Sequence, residues 1–530
     1  MKVTATLGAA GLMVASTVML PIASSSAASL PVTPMLSWSR LLDAYSLPAQ
    51  IVRSSPVVAH LTGPAISPAP SVVVGDDAGN LFALNLATGA NVHSTGVGAQ
   101  TSPVLRHVNQ PIDSTPSTAR FGGSPFDTVF VGVGSRGSAC GPYGGYLALN
   151  RDGSTRWRRA VTPPGGLAPC GSPSVTAGIT LANLSGSGLD AIAMSLGQDE
   201  MAFDAATGSA LQGWSPWFQA DSSSSTAAVA RFGGPSAPLS VIEGGDSTAG
   251  LAWGLQYQNG GHIRIISNQG NGGQHGAGGL ICSYDTYANG GQIVESSPAV
   301  GNFRANNYIG IASGMGYFSS YSGPTNRIVV INRRCGLVWQ RTTDFETSSP
   351  ILADVNGDGK LDVIVGTQAV SQFGGSTSRG SVYAFDGSTG AQLWRVTTGS
   401  VVGAPVAADL TGKGYADVVV TSADAGPSTG GLQIIDGKTG TKVWSEQGIV
   451  GQNSPLVTAD PNGTIGITIA GYVGELGGSG ACHQSFCLAS TVAHYVIPGS
   501  SAQWLSHSKT SWLQFHHDAQ LSGNTAGPNG

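Results

Sequence analysis

Apolar residues fall in short runs along this chain, each bounded by Gly, Ser, Asp or Asn. Val72-Val73-Val74, Val129-Phe130-Val131 and Val418-Val419-Val420 are typical. Short runs rich in β-branched residues and closed by turn formers predict strands. No long segment keeps a 3.6-residue period, and Gly recurs too often for helix.

The runs are organised into units. A Ser-Pro or Ala-Pro step opens each one, at Pro56, Pro103, Pro173, Pro298, Pro350, Pro405 and Pro455. The gap between Pro173 and Pro298 holds one more, degenerate copy starting near Thr226-Ala227. A long strand-containing period means a closed or stacked array. The clearest unit runs from Ser349 to Trp394. Its strands read Ile351-Leu352-Ala353, Val363 to Gly366, Ser381 to Phe385 and Ala391 to Trp394. Four short antiparallel strands per unit make a propeller blade. The fold class is all-β: a β-propeller of about eight four-stranded antiparallel blades, or seven if the fourth unit is an insertion.

The third turn of each unit repeats its chemistry. Asp386, Thr389, Gly390 and Trp394 correspond to Asp436, Thr439, Gly440 and Trp444. Asp204, Thr207 and Gly208, and Asn85, Thr88 and Gly89, are weaker copies. Asp or Asn binds turn amides and Gly supplies positive φ. A large ring at a repeated position fills a repeated gap between blades. This half of the unit resembles the repeats of PQQ-like β-propellers. The opening half, Ser349-Pro350 through Gly366, resembles the FG-GAP or VCBS repeat of integrin-α-type propellers.

One loop carries metal chemistry. Asp354-x-Asn356-x-Asp358-Gly359-Lys360-x-Asp362 alternates oxygen-bearing side chains through a tight bend. Ca²⁺ takes about six to eight hard oxygen ligands. Asp354, Asn356, Asp358 and Asp362 offer side chains, and Lys360 its carbonyl. Position 12 is Val365 in place of Glu, so this is no EF-hand. The FG-GAP resemblance implies a structural Ca²⁺ in this loop. In an eroded copy, Lys413 stands where a carboxylate belongs, and its ammonium can replace the cation.

Composition adds the setting. Lys2, an apolar run from Leu7 to Leu20 and Ser26-Ala27-Ala28 read as a signal peptide over 1–28. Residues 29–53 are expected to help close the ring, 54–525 to form one propeller and 526–530 a tail. No later stretch is apolar enough to span a bilayer. The net charge of −5 and the lack of a basic cluster beyond Arg156, Arg158 and Arg159 give nucleic acid no footprint. The six cysteines of an exported chain are expected to pair. Proximity favours Cys140–Cys170, Cys282–Cys335 and Cys482–Cys487.

The quinone dehydrogenases that share the PQQ-like repeat generally carry adjacent cysteines, which this chain lacks, so PQQ is not expected. The ten histidines sit in no catalytic frame. The non-repeating unit around 214–290 holds Trp214, Trp217, Trp253, Tyr257, His262, His275, Tyr284, Asp285 and Tyr287, an aromatic set suited to stacking on sugars or to packing on the ring. Trp512 to Asp518, with His516 and His517, is a candidate ring-closing segment and an alternative metal site. The expectation is a secreted, monomeric, calcium-supported module binding carbohydrate or protein without catalysis. The alternative is an extracellular enzyme on the same scaffold, a quinoprotein or a polysaccharide-cleaving one.

Overall fold

A computed structural model describes residues 32–42, 50–92, 103–134, 144–161, 174–194, 197–214, 217–221, 224–246, 261–270, 279–286, 292–304, 308–317, 326–368, 380–423, 431–476, 486–507 and 509–528. They form eight antiparallel sheets in a β-propeller with almost no helix. Blades 1 to 4 span 57–107, 117–160, 180–221 and 228–285. Blades 5 to 8 span 292–342, 346–397, 406–447 and 456–497. Blades 5 and 6 have a first strand broken in two, as Gln292–Ile293 with Ala299–Arg304 and Glu346–Thr347 with Ile351–Ala353. The fourth unit is a blade, which decides for eight over seven. First strands touch first strands of the next blade, so they line the axis. No helix of the described residues is long and apolar enough to cross a membrane.

The Ser-Pro period has a physical cause at that axis. The N–H of Ser454 donates to Ser55 Oγ at 3.0 Å, and that of Ser55 to Thr115 Oγ1 at 3.1 Å. The same bond joins Gly178 to Thr226, Thr226 to Ser297 and Ser297 to Ser349. At five of the eight junctions a hydroxyl beside the first strand therefore holds the blade before it. Two unit boundaries differ from the sequence reading. Pro173 stands seven residues ahead of the first strand of blade 3, Thr180–Ala182, where Ile179 takes the place of Pro. Pro103 precedes the fourth strand of blade 1, Val104–His107, and Pro116 opens blade 2 at Ser117–Arg120. The signal was misread because Thr115 replaces Ser or Ala before Pro116.

The tryptophans pack between blades as expected. Trp157, Trp339 and Trp394 lie in fourth strands and donate through Nε1 to Ala205, Gly387 and Gly437 of the following blade. Each indole covers a turn glycine. A Cβ on Gly208 or Gly390 would sit 2.6 Å from a carbon of that indole, and both glycines have positive φ, 70 and 69. Only Gly fits both demands. Trp214 docks likewise on blade 4, at Asn268 and Gly270. Between blades 4 and 5 the disulfide Cys282–Cys335 does this work, with Cα atoms 5.8 Å apart. Cys335 occupies the positive-φ turn position, φ 58. Cys140, Cys170 and Cys482 lie outside the described residues, as does the 1–28 segment.

Both chain ends meet the ring. Met35–Leu42 pairs with Phe486–Ile497 as the outermost strand of blade 8. Its Trp38 docks on Gly89 of blade 1 and donates to Leu86 O at 2.9 Å. The C-terminal segment 509–525 runs as a strap over the first strands. Carbonyls of Lys509, Trp512 and Leu513 accept from Asp354, Ala407 and Val457 of blades 6, 7 and 8. Those of Ala519, Gln520, Ser522 and Gly523 accept from Thr118, Leu181, Val229 and Val300 of blades 2 to 5. First-strand edges that would otherwise face the axis unpaired are thereby satisfied.

His516 reports on the strap. Its ring is buried and its Nε2 donates to Ala227 O at 3.0 Å. Burial holds the imidazole down to about 4, against the opposing pull of that hydrogen bond. An unfolded histidine protonates near pH 6.5, so the folded chain refuses a proton that the unfolded chain accepts. This stability is complete above about pH 6.5 and is lost as pH falls towards 4. The midpoint of urea unfolding should fall across that window. The His516→Gln variant keeps the donor and should flatten the fall; an unchanged slope would contradict the assignment.

Candidate functional site

The predicted metal loop joins the first two strands of blade 6. Asp354 is buried and accepts from Gly357 N and Gly359 N, both at 2.7 Å. Asn356 Oδ1 accepts from Asp358 N at 2.8 Å, and Asp358 Oδ1 from Lys360 N at 2.9 Å. Asp362 is fully buried and accepts from Val355 N at 3.1 Å. Lys360 reaches back to Asp358 across 3.2 Å at the surface. The loop is thus wound as its sequence demands, with its oxygens turned on its own amides. Among the described residues no three His, Cys, Asp or Glu side chains converge as a metal cluster.

Its electrostatics are unbalanced. Burial, and then the neighbouring carboxylates of Asp358, Asp354 and Asp386, push Asp362 up to about 8. Blade 7 shows how the same place is balanced. There Lys413 Nζ lies 2.6 Å from Asp417 Oδ1 and 2.7 Å from Asp436 Oδ2. Burial works against the ammonium, yet these carboxylates raise its pKa. Asp417 and Asp436 open the second strand and follow the third, as Asp362 and Asp386 do in blade 6. Lys509 of the strap donates to Gly359 O at 2.6 Å, so the loop lies on the strap's face.

The opposite end of the axis is open and polar. Two adjoining cavities of about 110 Å³ each share Arg53, Ser224, Glu295, Ser349 and Val402. Asp113, Thr115, Thr226, Gln452 and Asn453 complete one, and Phe515 of the strap lines it too. Glu346 and Gln368 line the other. Beside Asp113, Asp77 is pushed up to about 8, first by burial and then by the Asp113 carboxyl with which it shares a hydrogen bond. Ser454 Oγ and Asn453 Oδ1 are buried with no hydrogen-bond partner. Polar groups from several blades therefore converge on one small mouth. The sequence reading missed it: Arg53, Asp113, Glu295, Val402 and Gln452 each stand three residues before a blade-opening Pro, but that position repeats in place and not in residue type.

Of the aromatic set in the fourth unit, the described residues show only part. Trp214 and Tyr284 are buried, and His262 lies 3.8 Å from buried Glu243. Trp253, Tyr257, His275 and Tyr287 lie outside the described residues, and the side chain of Trp217 is likewise not described. His516 and His517 do not share a ligand site. Positive φ at both, 56 and 82, sends one ring to Ala227 and the other to Asp518.

The family model described as outer membrane protein assembly factor BamB matches residues 324–467. That window holds the docking Trp339 and Trp394, and Trp444 at the same repeat position. The repeats within that window are of the PQQ-like β-propeller type. The biofilm matrix protein Bap1 of V. cholerae is similar in structure, with TM-score 0.55, 12% identity and coverage of 89% of this chain and 92% of that one. A quinohemoprotein alcohol dehydrogenase of Pseudomonas putida HK5 gives TM-score 0.54 and 12% identity, over 88% of this chain and 77% of that one. At such identity these likenesses show the fold alone. No curated protein matches the sequence.

Proposed function

We propose that this protein is an exported, monomeric, non-catalytic binding module that takes an extracellular carbohydrate or protein at the open axial mouth. The carrying observation is the asymmetry of the ring. The strap starts at the blade 6 loop and is bonded along the first strands, and Arg53, Asp113, Glu295 and Glu346 gather at the other end of the axis, where Phe515 alone of the strap reaches. A concave site with a few convergent polar groups is where a rigid scaffold recognises a ligand. The biofilm matrix protein among the similar structures is consistent with such a role, by fold analogy only.

The proposal includes a structural Ca²⁺ in the Asp354–Asp362 loop, the FG-GAP- or VCBS-like part of the blade. Asp354, Asn356, Asp358 and Asp362 would supply side-chain oxygens and Lys360 a carbonyl. The support is the buried pair Asp354 and Asp362 of blade 6, with Asp362 pushed up by burial and by its carboxylate neighbours, beside the ammonium-balanced set of blade 7. Bound there, the ion would stiffen the turn that Lys509 grips and so anchor the start of the strap.

Two experiments test these readings. Millimolar Ca²⁺ added to chelated protein should raise the Tm by several degrees, and Asp358→Asn should abolish the rise. A Tm indifferent to Ca²⁺, with no calorimetric heat, would remove the ion from the account. A glycan and protein array should yield ligands whose affinity falls at least tenfold in Arg53→Ala. Ligands indifferent to that change would move the site elsewhere. A bound chromophore after incubation with PQQ, or turnover of a polysaccharide, would favour the enzyme alternative.

A further inference from the structure

The strap leaves one cavity where it passes blade 1. Between Leu513, bonded to blade 8, and Ala519, bonded to blade 2, no described backbone hydrogen bond ties it to Val57–Thr62. The left-handed turn at His516 and His517 lifts the chain there. Beneath it lies a cavity of about 520 Å³. Small-ligand sites typically occupy about 300–1,000 Å³. Val58, Leu86, Val457 and Leu513 give apolar walls, and His60 and His517 both face the space.

The two imidazoles are held alike. His60 Nδ1 lies 3.1 Å from Asp127 Oδ2, and His517 Nδ1 lies 3.1 Å from Asp518 Oδ2. Arg120 also binds Asp127, and Ser522 also binds Asp518. Burial opposes the charge on both carboxylates, but these partners hold them below their ordinary range. An ionised carboxylate only accepts, so each Nδ1 carries the proton. Each ring thus spends Nδ1 on its carboxylate and keeps Nε2 for a ligand, and no described residue bonds to either Nε2. The cavity thus combines apolar walls with two imidazoles held in place by their carboxylates. A hexose ring has the complementary chemistry: a C–H face and a rim of hydroxyl donors.

We propose that this seam cavity binds one hexose-type unit of a carbohydrate, its hydroxyls hydrogen-bonding with His60 Nε2 and His517 Nε2. The site is separate from the axial mouth and deepens the carbohydrate arm of the binding reading. Methyl glycosides of glucose, galactose, mannose and N-acetylglucosamine, titrated into the full chain and followed by ligand-observed NMR, test it. At least one should bind at millimolar concentration. His60→Asn and His517→Asn keep a donor for the carboxylate and remove the Nε2 end of the ring, so each should weaken binding at least tenfold with an unchanged Tm. Ala459→Trp, on the exposed wall, should block the cavity without touching either imidazole, and covers the case in which a histidine variant fails to fold. Arg53→Ala should leave this binding intact, which separates its failure from failure at the mouth. No glycoside binding at tens of millimolar, or binding indifferent to the Asn variants and to Ala459→Trp, would overturn the proposal.

Discussion

An indole laid on a bare glycine sets this ring. The pair recurs at Trp38 and Gly89, Trp157 and Gly208, Trp339 and Gly390, and Trp394 and Gly440. The contact fixes how closely one blade's outer strand approaches the next blade's turn. The indole N–H then bonds a carbonyl of that turn, which adds direction to apolar burial. Where the pair is absent, another device fills the same place. A disulfide joins blades 4 and 5. Leu105 of blade 1 meets Gly153 of blade 2, and Trp444 of blade 7 meets Tyr495 of blade 8 edge-on. A repeated wedge angle is what lets eight sheets close, so the axial ring of hydroxyl bonds depends on these docks.

Closure uses both ends of the chain, by different physics. The N-terminal strand completes blade 8 and brings a docking Trp with it, so the last junction copies the others. The C-terminal strap works at the axis, feeding carbonyls to first-strand amides blade by blade. Its path makes the two faces unequal. The predicted calcium loop lies with the strap and belongs to the frame, whereas the polar mouth lies at the other end of the axis.

The blade was legible in the sequence because its constraints are local. Asp386 binds the amide and hydroxyl of Thr389, three residues on, and Gly390 follows at positive φ. Such turns announce themselves in four or five residues. The packing role of the tryptophans followed from repetition alone. The mouth was not legible, because Arg53, Asp113 and Glu295 come from blade entrances far apart in the chain and meet only when the ring closes. The seam cavity was hidden for the same reason: His60 and His517 stand at opposite ends of the chain. Pro103 misled because a Ser-Pro step also suits the start of an outer strand.

The dock itself is open to a direct measurement, a double-mutant cycle on Trp339 and Gly390 followed by chemical unfolding. In the parent protein a Cβ at residue 390 meets the indole and also carries the strain of positive φ. With Trp339→Ala only the strain remains, of order 1 kcal/mol. The account predicts that Gly390→Ala costs at least about 1 kcal/mol more when Trp339 is present than when it is absent. Equal costs in the two backgrounds would contradict the claim that this contact holds the blades together.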